Sequence, residues 1–191
     1  WATITNGNYS NSLTSGASLM KLLNSGDWWN GTNTYSNYGL TVKSKSMVNT
    51  SRYYLGGYNT SSVTTQAMYG YERGTARYGT NRPLYWDGYV GLMYLSDYGY
   101  AAGKSCGDGT NLSNYDGSCK SKDWLFNSSY WQWLMSPHSG NYANAWNVGP
   151  VAGIVNDHSN STGKATPVFY LSSSASISEG EGTLNAPYIL S

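Results

Sequence analysis

"YWQWLMSPHSGNYANAWNVG", Tyr130 to Gly149, holds three tryptophans, two tyrosines and the first of two histidines, without one Asp, Glu, Lys or Arg. Its reading decides the second half of the fold. Residues 130–137 are aromatic and apolar and end at Ser136-Pro137, as a strand does. "HSGNY" is turn chemistry, and "NAWNVG" supplies a second strand. Side chains alternate across a strand, so Trp131 and Trp133 share one face and Gln132 takes the other. Leu134 and Met135 beside them commit at least one face to a core. Tyr142, Asn144 and Trp146 also share a parity. They line either a concave aromatic patch or, for Trp146, the core itself.

Outward from this segment the pattern continues as short strands and turns: "VAGIVND", "TPVFYLSS" and "APYILS". Toward the N-terminus, "YVGLMYLS" reads as an apolar strand, with Asp97 after it capping a turn or a helix start. "SGASLMKLLNSG" reads as a helix capped by Ser15 or Ser18 and closed by Gly26, and "NTSSVTTQAMYGYERG" as a second helix stopped at Gly74. "WATITNGNY" and "GLTVKSKSMV" alternate and read as strands. Helices gather in the first half and strands in the second. The expected class is therefore α+β: two short helices, then a mostly antiparallel twisted sheet with long loops, in one domain spanning 1–191.

Composition narrows the function. Net charge is +1 and 11% of residues are charged, against the usual quarter, so neutral polar groups must supply solubility. The chain has 28 Ser, 19 Asn and 16 Thr, with 19 Tyr and 8 Trp beside only 4 Ile. Tyr and Trp bury large area and keep a hydrogen-bonding end, which suits a surface made for contact. No basic block points to nucleic acid, and no apolar run is long enough to insert in a bilayer. Cys106 and Cys119 frame twelve turn-rich residues. A disulfide there would contribute about 3 kcal/mol and indicate an oxidising compartment; two free thiols are the alternative. Asn-x-Ser/Thr sequons stand at Asn8, Asn30, Asn49, Asn59, Asn111, Asn127 and Asn160. The start at Trp1, without Met or signal segment, suggests a piece of a longer precursor.

"YYLGGYNTSSVTTQAMYGYERGT" (53–75), "GLMYLSDYGYA" (91–101), "CKSKDWLF", "WQWLMSP", "NAWNV" and "TPVFYLSSSASISEGEGTLNAPYIL" follow one another along the chain. Together they resemble an uncharacterised domain of Firmicutes and Tenericutes surface proteins that follows prepilin-type segments. The second half also resembles the fold group of C-type lectins and formylglycine-generating enzymes. There a Trp-rich strand and Ser-Pro turn precede a variable Asn/Tyr/Ser-rich segment, here His138 to Ala165. The chain departs from that group in having Thr166-Pro167 where relatives read Arg-Pro. It lacks the Glu-Pro-Asn and Gln-Pro-Asp tripeptides of calcium-dependent lectins, and no cysteine motif of the oxygen-using enzymes is present. The resemblance implies an extracellular, cell-surface domain and does not license calcium-dependent sugar binding.

Catalytic patterns are sparse. There is no Gly-x-Ser-x-Gly elbow, and His138 and His158 lie twenty residues apart in loop-like sequence. Asp87, Asp97, Asp123, Asp157 and Glu72 show no paired-carboxylate spacing; Glu72-Arg73 reads as a buried polar anchor. Asp108, Asn111, Asn114 and Asp116 are hard-oxygen groups in a Gly-rich loop and form a candidate calcium site. The expectation is a non-catalytic ligand-binding or adhesion domain of a pilin-like or cell-surface protein. His138, Ser139, Asn141, Tyr142, Asn144, Trp146, Asn156 and His158 would contact a glycan or protein on another cell or surface. The alternative is a structural subunit that self-assembles into a filament; a secreted hydrolase stands behind both.

Overall fold

The computed structural model describes residues 3–5, 8–10, 18–37, 39–79, 82–159, 161–183 and 185–191. Two strands, β1 (Thr3–Thr5) and β2 (Asn8–Ser10), pair antiparallel, where "WATITNGNY" was expected to form a single strand. Ser15, one of the two expected caps, and Asn160 lie outside the described residues. Helix α1 (Ser18–Asn24) follows with Leu23 buried, then α2 (Asp27–Asn30) and α3 (Val42–Ser46). The last replaces the strand expected from "GLTVKSKSMV". Thr41 caps it by accepting a hydrogen bond from the Ser44 amide at 3.0 Å, and this capping chemistry outweighs a short alternation.

Strands β3 (Val48–Asn49) and β4 (Ser51–Tyr54) lead to helix α4 (Thr65–Glu72), capped by Thr64 through the Ala67 amide. Next come β5 (Tyr85–Gly88), β6 (Val90–Leu92) and α5 (Leu95–Ala101). Asp97 begins α5 as expected, its carboxylate accepting from the Tyr94 amide at 2.8 Å. Inside the disulfide loop the chain forms α6 (Lys104–Gly109) and a 3-10 turn at Leu112–Asn114 where only loop was expected. The helix lacks propensity, but Cys106 and Gly107 are buried, so packing and the Cys106–Cys119 bond hold it. Six short α-helices thus precede β7 among the described residues, four of them in the first half, where two were expected.

The second half follows the sequence reading closely: β7 (Gln132–Pro137), β8 (Asn144–Val148), β9 (Ile154–His158), β10 (Lys164–Ala165), β11 (Pro167–Leu171), β12 (Ile177–Glu179) and β13 (Ile189–Leu190). One sheet orders β10-β7-β8-β9, antiparallel except for the parallel β10–β7 pair; a second orders β3-β11-β6. β4–β5 and β12–β13 are separate antiparallel ribbons. Among the described residues the terminal strands pair with their neighbours, not with each other. The fold is α+β with several antiparallel sheets.

Two cores meet at β7. Leu134 belongs to the larger, with Met68, Leu95, Tyr98, Leu112, Tyr115, Trp146 and Val148. Met135 belongs to the other, with Leu23, Tyr53, Val90, Leu92 and Tyr94. The β7–β8 register slips between Trp133 and Pro137, and within that irregularity the Met135 amide donates to the Met93 carbonyl at 2.8 Å. Such an irregularity re-aims side chains. Ser136 is turned onto the buried Glu72 carboxylate, 2.6 Å away.

At the start of β7 the buried face is the one that carries Gln132 and Leu134. Gln132 is buried, while Trp131 is exposed. Both ends of the Gln132 amide are satisfied, one donating to the Leu125 carbonyl and the other accepting from the Thr166 hydroxyl.

Candidate functional site

Gly57 starts the site. A Cβ at this position would stand 2.0 Å from the Pro137 carbonyl oxygen, so only glycine lets the two backbones meet. Next to it, Tyr58 bridges His138 in parallel fashion. The Tyr58 carbonyl accepts from the Ser139 amide at 3.3 Å and from Trp146 Nε1 at 3.2 Å. The Gly57 amide donates in turn to Ala76 O. Three segments, 56–60, 74–79 and 138–143, are thereby fastened together at the end of the β7–β8 hairpin.

His138 is the pin. Its Nδ1 accepts from the Gly140 amide at 3.2 Å, and its Nε2 lies 3.1 Å from the Asn59 carbonyl. These contacts define the neutral ring with the proton on Nε2. Burial lowers its pKa, against a smaller opposing effect of the Asn59 carbonyl. The ring lies 5.5 Å from Trp146, and Tyr58 stacks on Tyr71 at 3.8 Å, nearly parallel.

Above this base the rings are open. Tyr78 and Tyr142 are 42% and 45% exposed, with centroids 5.6 Å apart. Arg82 donates to the Tyr142 carbonyl and holds its guanidinium 5.7 Å from the Tyr78 ring. Asn141 is spent on the turn, accepting from the Ala143 amide at 2.9 Å.

Across the sheet Asn144 opposes His158, and Trp146 opposes Asn156. This face runs from Val148 and Ile154 in the core to Asn144, Asn156 and His158 at the solvent edge. Asn144 Nδ2 donates to Asn156 Oδ1 at 2.6 Å. All eight expected contact residues thus collect at one end of one sheet. Trp146 lies beneath the surface, only 2% exposed.

Sequence reasoning missed Tyr58, Asn59, Tyr71, Tyr78 and Arg82, which come from the first half of the chain. The Gly56-Gly57 pair was the available signal, since adjacent glycines mark a close backbone approach. What they approach is not local information.

The acids are elsewhere. Glu72 is fully buried and accepts from the Ser96 amide at 3.1 Å, the Ser96 and Ser136 hydroxyls, and Arg73 at 3.3 Å. It joins α4, α5 and β7, as expected of an anchor. Burial pushes its carboxyl up to about 7, despite the donors from Ser136 and Ser96. Asp123 is also buried and raised to about 7; its Oδ2 and the Tyr98 hydroxyl lack partners among the described residues. Asp108 and Asp116 are exposed, Asn111 bridges Thr64, and no group of three His/Cys/Asp/Glu among the described residues could hold a metal. No described helix is long and apolar enough to cross a membrane. Compared with known proteins, the chain matches no family model, no curated protein and no solved structure.

Proposed function

We propose that this is a non-catalytic extracellular binding domain with a C-type-lectin-like arrangement, whose contact surface is the loop end around Tyr78 and Tyr142. One observation carries the reading: Tyr142 stands on a loop that Tyr58, His138 and Trp146 fasten from beneath, and Tyr78 and Arg82 are held against it by the Arg82 bond to the Tyr142 carbonyl and the contact of the two rings. Loops already fixed lose little conformational freedom on binding. Exposed rings beside amides and hydroxyls stack and hydrogen-bond without charge, as paratopes do. Asn59 and Ser139, bonded to His138 and Tyr58, add neutral polar groups beside the single Arg82 charge, and Asn156 and His158 continue the polar surface across β9. The Cys106–Cys119 bond supports an oxidising, extracellular location. The ligand is a glycan or protein on another cell or surface, and the parent is a pilin-like or cell-wall protein. A cation is not required.

The test is binding of the oxidised protein to glycan and protein arrays, followed by titration of the strongest hit. Tyr78→Ala and Tyr142→Ala should each weaken that hit about tenfold or more, the loss typical of a central contact residue. Trp124→Ala, an exposed ring outside the site, should not. Equal loss from Trp124→Ala, or none from the tyrosines, sinks the assignment.

A further inference from the structure

The ribbon of β12 and β13 pairs with no other described strand, and an isolated two-stranded ribbon is marginal in water. Ile177, Tyr188 and Ile189 are 58%, 54% and 52% exposed on it. Gly180 and Gly182 have φ of 94° and 74°, which favour glycine, and Tyr188 lies across Gly182. Glu179 and Glu181 are exposed at the same end, and residues 176–191 contain no Lys or Arg. The ribbon is therefore apolar and acidic.

Beside it lies a groove lined by Leu40, Met47, Phe169, Leu171 and Leu190, with Lys43 and Ser44 on its wall. Val42, 86% exposed, stands on the same short helix α3. That helix carries Lys43 and Lys45 and no acid. Lys45 is already engaged by Asn30 and the Trp29 ring, leaving Lys43 exposed at the groove. The groove is apolar and basic, opposite in sign to the ribbon.

We infer that two copies of this chain pair about a two-fold axis beside Leu190, each ribbon seated against the α3 groove of the other. The two surfaces match in charge as well as in apolar character. Leu190 belongs to both ribbon and groove, so the surfaces adjoin. A two-fold axis there makes both contacts at once, the ribbon of each copy on the groove of the other, and leaves neither surface open for a third copy. At net charge +1 the copies repel weakly. This pairing is independent of the loop-end binding site.

The experiment is light scattering on the oxidised protein across a concentration series, at low and at high salt. The expected result is a monomer–dimer equilibrium that weakens with salt and ends at two. Lys43→Glu, and separately Glu179→Lys with Glu181→Lys, should each loosen the dimer about tenfold, and combining all three should restore most of it. All three positions are exposed, and near-ultraviolet circular dichroism verifies that each variant is folded. A monomer at every concentration overturns the inference. Species that keep growing overturn the closed two-fold pairing. Charge reversals without effect, or a combination that recovers nothing, overturn this interface.

Discussion

At the scale of residues, the decisive groups are buried and polar. Glu72 receives four donors, two from Ser96 on α5, one from Ser136 on β7 and one from its neighbour Arg73, and gives the buried three a partner that burial would otherwise deny them. Glu72→Ala would leave the Ser96 amide and two hydroxyls without an acceptor in the core, at a cost of about 3–5 kcal/mol. Equilibrium urea unfolding measures it, and a loss below about 1 kcal/mol, the scale of one ordinary hydrogen bond, would refute the anchor. Glu72 and Asp123 also set a pH dependence. Burial raises both from ordinary values of 4.5 and 3.8 to about 7. Between those limits the folded state holds more protons than the unfolded, so stability is full below the ordinary values and is lost as pH rises through 7. His138 acts oppositely, its lowered value costing stability as pH falls below 6.5. Two acids outweigh one histidine, so the urea midpoint should be lower at pH 8 than at pH 5, and Asp123→Asn should flatten the difference. A midpoint that rises toward pH 8 contradicts this account.

At the scale of elements, one glycine and one cap are informative. Gly57→Ala forces backbone apart where Tyr58 meets His138. It should destabilise the domain by about 2 kcal/mol or more and shift Trp146 fluorescence as the bond to the Tyr58 carbonyl is lost. Thr41→Ala removes the α3 cap and should cost about 1 kcal/mol in urea unfolding while leaving that fluorescence unchanged. These two positions also show what the sequence could disclose. The strands from β7 to β9 were legible because hydrophobic runs, turn residues and the Ser-Pro stop agree along a continuous stretch. Helix α3 was not: Val42 is almost fully exposed, no buried face imposes a period, and a single threonine cap decides. Helix α6 was hidden for the opposite reason, since tertiary burial of Cys106 overrides its glycines. The site divided in the same way. Its β8–β9 half could be listed because alternation places Asn144, Trp146, Asn156 and His158 together. Tyr58 and Tyr78 reach it only through contacts spanning some sixty to ninety residues, such as Trp146 to Tyr58.

At the scale of the whole molecule, the disulfide and β7 determine how the structure holds together. The Cys106–Cys119 bond closes a short loop whose ends are both buried in the larger core. Reduction should lower stability by about 3 kcal/mol and the melting temperature by on the order of 10 °C for a chain of this size. Calorimetry with and without reductant tests that, and an unchanged transition would mean the loop is held by packing alone. Strand β7 has the wider consequence. Its neighbouring residues Leu134 and Met135 face different cores, and the Met135 amide is bonded to Met93 behind it. Neither half can open without stripping a wall from the other. The domain should therefore behave as one cooperative unit: in native-state hydrogen exchange, the Met135 amide should be released only with the protection of both cores, at the free energy of global unfolding.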